Sequence, residues 1–105
     1  ELWRTVLAHA GYTVTAVDDG QTAKVMLETT CYDLLITDYN LPGIRGNMLI
    51  VYAQLACPKM ATVLISAQPD VEHLASLCNA HAWFRKGEAL DGFLAAVTAA
   101  LNAVR

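Results

Sequence analysis

Three side chains of complementary chemistry stand at the ends of apolar runs. Asp38 closes "LLITD", Ser66 closes "TVLIS" and Lys86 closes "AWFRK". Singly, each has an ordinary explanation, because an Asp there is often a turn-former and a Ser simply polar. Placed together they have a use. A carboxylate can act as a nucleophile and carry a phosphoryl group as an aspartyl-phosphate. Phosphoryl transfer then needs positioning and neutralisation of charge on the equatorial oxygens. A lysine point charge and a hydroxyl donor supply both. A divalent ion held by carboxylates usually supplies the rest, and amides of the Asn40–Gly43 turn are available to face an anion.

Those three residues can meet only if their runs are neighbouring parallel strands with a common C-terminal edge, where open α/β sheets bind ligands. The periodicity supports that arrangement. A helix is expected over 2–10, with Leu2, Val6 and Ala10 in a stripe beside Trp3 and Leu7, stopped at Gly11. "YTVTAV" (12–17) reads as a strand rich in β-branched residues. Residues 21–30 read as a helix capped by Asp19, with Ala23, Met26, Leu27 and Thr30 on one side. "DLLITD" (33–38) suits a parallel strand covered on both faces. A third helix over 46–56 presents Met48, Val51, Tyr52 and Leu55, and Pro58 ends it.

"TVLISA" (62–67) is a further buried strand. A helix opens at Asp70 with Val71, Leu74, Ala75 and Cys78 inward. "AWFRK" (82–86) is the last strand, and a helix over 88–104 carries Leu90, Leu94, Val97, Leu101 and Val104. Alternation at this spacing means right-handed βαβ crossovers and a parallel sheet between helical layers.

The chain has 105 residues, 55% hydrophobic and 16% charged, with net charge −3. That bounds it to one core-forming domain and excludes disorder. Its seven basic residues are scattered, so nothing supports a nucleic-acid interface. No apolar run is long enough for a membrane helix. Cys31, Cys57 and Cys78 are odd in number and lack a C-x-x-C pair. The plainest reading is small buried hydrophobes in a reducing cytoplasm; a structural zinc or a redox role is the alternative.

At this point the motifs resemble a family: the receiver domains of two-component response regulators. "TDYNLPGIRG" is similar to the family's phospho-acceptor stretch, with an aliphatic and Pro after the Asp and a Gly eight positions on. "ISA" is similar to its hydroxyl-plus-small-residue motif, "WFRK" to its last-strand motif, and "DDG" to the turn after its second strand. The resemblance covers essentially residues 1–105. It implies a flavodoxin-like doubly wound α/β fold of strand order 2-1-3-4-5. It implies that Asp38 accepts a phosphoryl group and ligates Mg2+ together with the backbone carbonyl of Asn40. Ser66 would contact the phosphate, Lys86 would pair with Asp38 or the phosphate, and Trp83 would be the switch aromatic reporting the position of Ser66. The implied partner is a histidine kinase or a histidine phosphotransfer domain, the location cytoplasmic, and the protein a switch rather than a turnover enzyme.

The chain also departs from the family. The acidic pair that would complete the metal site closes the family's first strand, which is missing here; Asp18 and Asp19 lie in a different turn. Gly87 replaces the usual Pro after Lys86. The stretch from Ser66 to Lys86 is about two residues short, and Trp83 is larger than the usual aromatic. A missing central strand leaves a slot, because strands sit about 4.8 Å apart. Each buried unpaired amide in it would cost about 1–3 kcal/mol. The expectation is therefore an N-terminally truncated receiver whose slot is filled by upstream residues, by rearrangement, or by a homodimer or strand-swapped assembly. The alternative function is a degenerate receiver that binds proteins independently of phosphorylation.

Overall fold

The computed structural model describes residues 2–105, with Leu2 described by its backbone alone. The element order is α1 (Leu2–His9), α2 (Gly20–Thr29), β1 (Leu34–Asp38), α3 (Gly46–Ala56), β2 (Ala61–Ser66), α4 (Val71–Leu77), β3 (Ala82–Arg85) and α5 (Leu90–Ala103). The three strands form one parallel sheet in the order β1-β2-β3. The register sets Asp38 opposite Ile65, and Ser66 opposite Arg85.

β2 is central and buried along its whole length. A continuous apolar run satisfies that position because a central parallel strand is covered on both faces. Ala61, Val63 and Ile65 point to one side, against α5 and α1, where Phe93, Val97 and Leu7 complete the core. Trp3 and Phe84 flank Phe93 at ring-centroid separations of 4.6 and 5.6 Å. Leu64 points to the other side, against Ile50 of α3 and Val71 and Ala75 of α4. α2 packs on α3 through Ala23, Leu27, Leu49 and Ala53. One buried polar residue, Thr62, is satisfied by His81: the Thr62 N–H donates to His81 Nδ1 over 3.0 Å.

The structure corrects the sequence reading in four places. First, residues 12–17 form no strand; they are irregular and mostly exposed, with Val14 partly buried against the core. A β-branched run needs a ladder partner to become a strand, and none is beside it. Instead a groove of about 720 Å³ separates this segment from β1, lined by Val14, Ala16, Leu34, Ile36 and Asp38 among others. Ladder bonds from Ala61 to the Asp33 carbonyl and from Tyr39 to the Ile65 carbonyl place the odd-numbered backbone groups of β1 toward β2. Parallel pairing alternates, so those of Leu34, Ile36 and Asp38 face the groove.

Second, α3 turns its other face inward. Leu49, Ile50 and Ala53 are buried, while Leu55 is 79% and Met48 55% exposed. This helix is apolar nearly all round, so its periodicity offered two stripes, and packing against both α2 and the sheet selected the one with smaller residues. Third, the buried stripe of α5 is Phe93, Ala96, Val97 and Ala100, with Leu94 and Leu101 only flanking it and Leu90 at the surface. Fourth, the cysteines are not three buried thiols. Cys31 and Cys57 form a disulfide with Cα atoms 5.8 Å apart, and Cys78 alone is free and buried.

Candidate functional site

The site is assembled where β1, β2 and β3 end. Lys86 follows β3 directly, and its backbone N–H donates to the Ser66 carbonyl over 2.9 Å, holding the two strand ends together. Its Nζ lies 2.7 Å from Asp38 Oδ1. The Lys86 and Asp38 side chains are 43% and 37% exposed, so the pair stands at the surface edge of the core. The approach is that of an ion pair rather than an aligned hydrogen bond, and Oδ1 has no hydrogen-bond partner beside it.

Ser66 is 4% exposed, and its Oγ accepts the Gln68 N–H over 3.0 Å. That bond uses a lone pair and leaves the hydroxyl proton free to donate to an anion. Trp83 is half-buried against the Leu64–Val71–Ala75 cluster, with the Arg85 guanidinium 5.6 Å from its ring. Arg85 also donates to the Pro69 carbonyl over 2.7 Å and pairs with Glu88 at 3.2 Å, so it ties the loop after β2 to the end of β3.

Around Asp38 the backbone is crowded in a way the motif alone did not reveal. Gly46, the first residue of α3, sits directly on the Asp38 carbonyl: a Cβ there would collide with that oxygen and lie 2.7 Å from its carbon. The Gly46 N–H donates to the Tyr39 carbonyl over 3.0 Å, and Thr37 Oγ1 donates to the Asp38 carbonyl over 3.0 Å. Arg45 reaches back to Asn40 Oδ1 at 3.4 Å and lies over the Tyr39 ring at 5.8 Å. Thr37 and Arg45 gave no sequence signal beyond adjacency to the motif.

Gly43, at φ +84°, makes the turn between. The Pro42 carbonyl accepts the Gly20 N–H over 2.8 Å, which docks the head of α2 on this loop. Asp19 serves there as the N-cap, accepting the Thr22 N–H over 2.7 Å. That bond from Thr22 holds the Asp19 carboxyl below the ordinary carboxylate range. Asp19 therefore belongs to the helix cap.

The donor set for a divalent ion is incomplete. Asp38 Oδ1 is buried and engaged by Lys86, and no group of three His, Cys, Asp or Glu able to hold a metal occurs among the described residues. One carboxylate and one carbonyl fall short of the oxygen shell that Mg2+ demands unless waters and phosphate supply the remainder.

Comparison with known proteins gives a consistent answer. Residues 1–86 match the family model described as the response regulator receiver domain. The chemotaxis protein CheY of Pseudomonas aeruginosa is 31% identical over 80 residues, which are 73% of this chain and 64% of that protein. The matched stretch thus spans less than two thirds of that relative. A solved response regulator receiver protein from Sinorhizobium medicae superposes with a TM-score of 0.83 at 26% identity, covering 97% of this chain and 84% of the other. A receiver domain protein from Clostridium thermocellum shares the fold at a TM-score of 0.85 and 21% identity, over 97% of this chain and 84% of its own.

Proposed function

Since the chain belongs to the response regulator receiver domain family, we propose that it works as a phosphorylation-driven switch with Asp38 as the phosphoryl acceptor. The observation carrying this reading is the meeting of Lys86 Nζ and Asp38 Oδ1 at 2.7 Å, with the Ser66 hydroxyl at the end of the adjoining strand. An Asp38 carboxylate oxygen attacks the phosphorus of a phosphohistidine. The P–O bond to Asp38 forms as the P–N bond breaks, and the imidazole leaves with the electron pair. Lys86 neutralises charge on the transferring group, and Ser66 donates its free proton to a phosphoryl oxygen. Trp83 packs beside Leu64 and Val71 and would report a shift of Ser66 to the face made by α4, β3 and α5.

The partner is a protein carrying a phosphorylated histidine, and the chain is a signalling module rather than a turnover enzyme. No helix among the described residues is long and apolar enough to cross a membrane. Receiver domains generally bind Mg2+ at an acidic pocket. Here Asp38 and the Asn40 carbonyl would contribute to such a pocket. The groove beside β1 supports reading the chain as a receiver that needs one more strand: it has the backbone edge for a further parallel strand, and an acidic pair at that strand's C-terminal end would lie next to Asp38. Upstream residues of the protein, or a strand exchanged with a second copy, would supply it.

The test is phosphotransfer from a phosphorylated histidine phosphotransfer domain in the presence of Mg2+. Label should pass to the protein and be lost in Asp38→Ala. Label retained by that variant places the acceptor elsewhere. The incomplete metal donor set favours a second reading, a receiver that binds its partner without phosphorylation. In that case partner affinity is the same for the wild type and for Asp38→Ala, with or without a phosphodonor.

A further inference from the structure

The disulfide joins the two helices beside the outer edge of β1. Among the described residues no strand pairs with the outer edge of β1, and α2 packs chiefly on α3. Cys31 lies in the exit from α2 and is exposed; Cys57 is the C-cap of α3 and only 3% exposed, inside the α2–α3 cluster with Leu27, Ala53 and Met60. The bridge joins the distal ends of these two helices across 26 residues of chain. At their other ends, Gly20 of α2 is fastened to the Pro42 carbonyl and would collide with Ile44 if it carried a Cβ. α2 is therefore clamped between the disulfide and the loop that follows Asp38.

We propose that Cys31–Cys57 is a reversible thiol–disulfide site, open to small-molecule thiols at Cys31, whose state sets how firmly α2 holds the 40–44 loop. A solvent thiolate attacks the exposed Cys31 Sγ, the S–S bond breaks, and its electron pair leaves on Cys57 Sγ, which takes a proton. A second thiolate attacks the outer sulfur of the mixed disulfide and releases Cys31 as a thiolate. The protein disulfide gains two electrons, and two small thiols are oxidised to one disulfide; the reverse runs with a small-molecule disulfide as oxidant. Closing a loop of this length shifts the folding equilibrium by roughly several hundredfold, so the bond state changes how firmly the ends of α2 and α3 are held. Cys78 takes no part: it is buried against Val71 and Ala75.

The test uses the full chain, equilibrated with oxidised or reduced glutathione, then quenched, denatured and alkylated. The oxidised protein should take up alkyl group at Cys78 alone, and the reduced protein at all three cysteines of the sequence. Amide hydrogen exchange should accelerate over 20–30 and 40–44 on reduction, with 61–66 and 82–85 unchanged. Cys31→Ser should exchange at the fast rate in either buffer. Full alkylation after glutathione disulfide, a bond that native protein does not yield to the thiol, or exchange rates indifferent to reduction would each overturn the proposal. None of these readouts involves phosphorylation, so the result stands apart from the role given to Asp38.

Discussion

Replacing Gly46 by Ala tests how the phospho-acceptor loop is held. In an ordinary helix the change stabilises by up to about 1 kcal/mol, since Ala loses less backbone freedom. At Gly46 the new methyl would run into the Asp38 carbonyl and stand 3.0 Å from Thr37 Oγ1. The obstacle is strand backbone, which cannot swing aside as a side chain can, so α3 must lift from the end of β1. Overpacking of this kind costs about 1–3 kcal/mol. Lifting the helix also stretches the bond from Gly46 N–H to the Tyr39 carbonyl, worth about 0.5–1.5 kcal/mol. Set against the propensity gain, the expected net loss is about 2 kcal/mol, or a fall in Tm of roughly 10 °C for a domain of this size.

Gly92→Ala is the matched control. It lies inside α5, and its Cβ would meet Phe84 Cε1 at an ordinary 3.4 Å, so stability should hold or rise. Urea denaturation of both variants provides the measurement, with amide shifts of Asp38 and Tyr39 reporting local displacement. A Gly46→Ala protein as stable as the wild type, with those amides unmoved, would refute the close approach of α3 to β1.

Other substitutions separate site from scaffold. Lys86→Gln should change stability by less than about 1 kcal/mol, because its ion pair is partly exposed, yet it should sharply reduce phosphotransfer; a large fall in urea midpoint would make the lysine structural. Phe93→Ala empties the contact with Trp3 and Phe84 and should cost about 3–5 kcal/mol, read from the same denaturation curves. For Asp19 the sign follows from its lowered carboxyl. A folded pKa below the unfolded value of about 3.9 means that the cap's contribution is present above that pH and fades as pH falls through the folded value. The stability gap between wild type and Asp19→Ala should therefore be open at neutral pH and narrow as pH falls below the unfolded value of about 3.9; a gap that does not change with acid would show that the carboxylate is not the cap.

Continuous apolar runs were legible as strands. "LLITD" and "TVLIS" both formed where expected, but only β2 is buried along its length; β1, expected to be central and covered on both faces, is an edge strand and mostly half-buried. The Asp19 cap was legible because its signal is local. The segment 12–17 failed because strand formation is not local: the propensity of "YTVTAV" is real, but a ladder needs a neighbour, and across the groove there is none. α3 misled because two apolar stripes compete on it and only tertiary packing decides between them. The disulfide had no sequence signature, since an odd set of three cysteines does not tell which two meet. Gly46 belonged to the motif by spacing, but its reason, direct contact with the Asp38 backbone, became visible only in three dimensions.

The central claim is that Asp38 carries the phosphoryl group. An acyl phosphate is reduced by borohydride, which converts the modified aspartate to homoserine. After incubation with a phosphohistidine donor and Mg2+, borohydride treatment and peptide sequencing by mass spectrometry should find homoserine at position 38 and at no other acidic position. Homoserine at another aspartate, or none at all while a histidine or serine phosphate accumulates, would contradict the account.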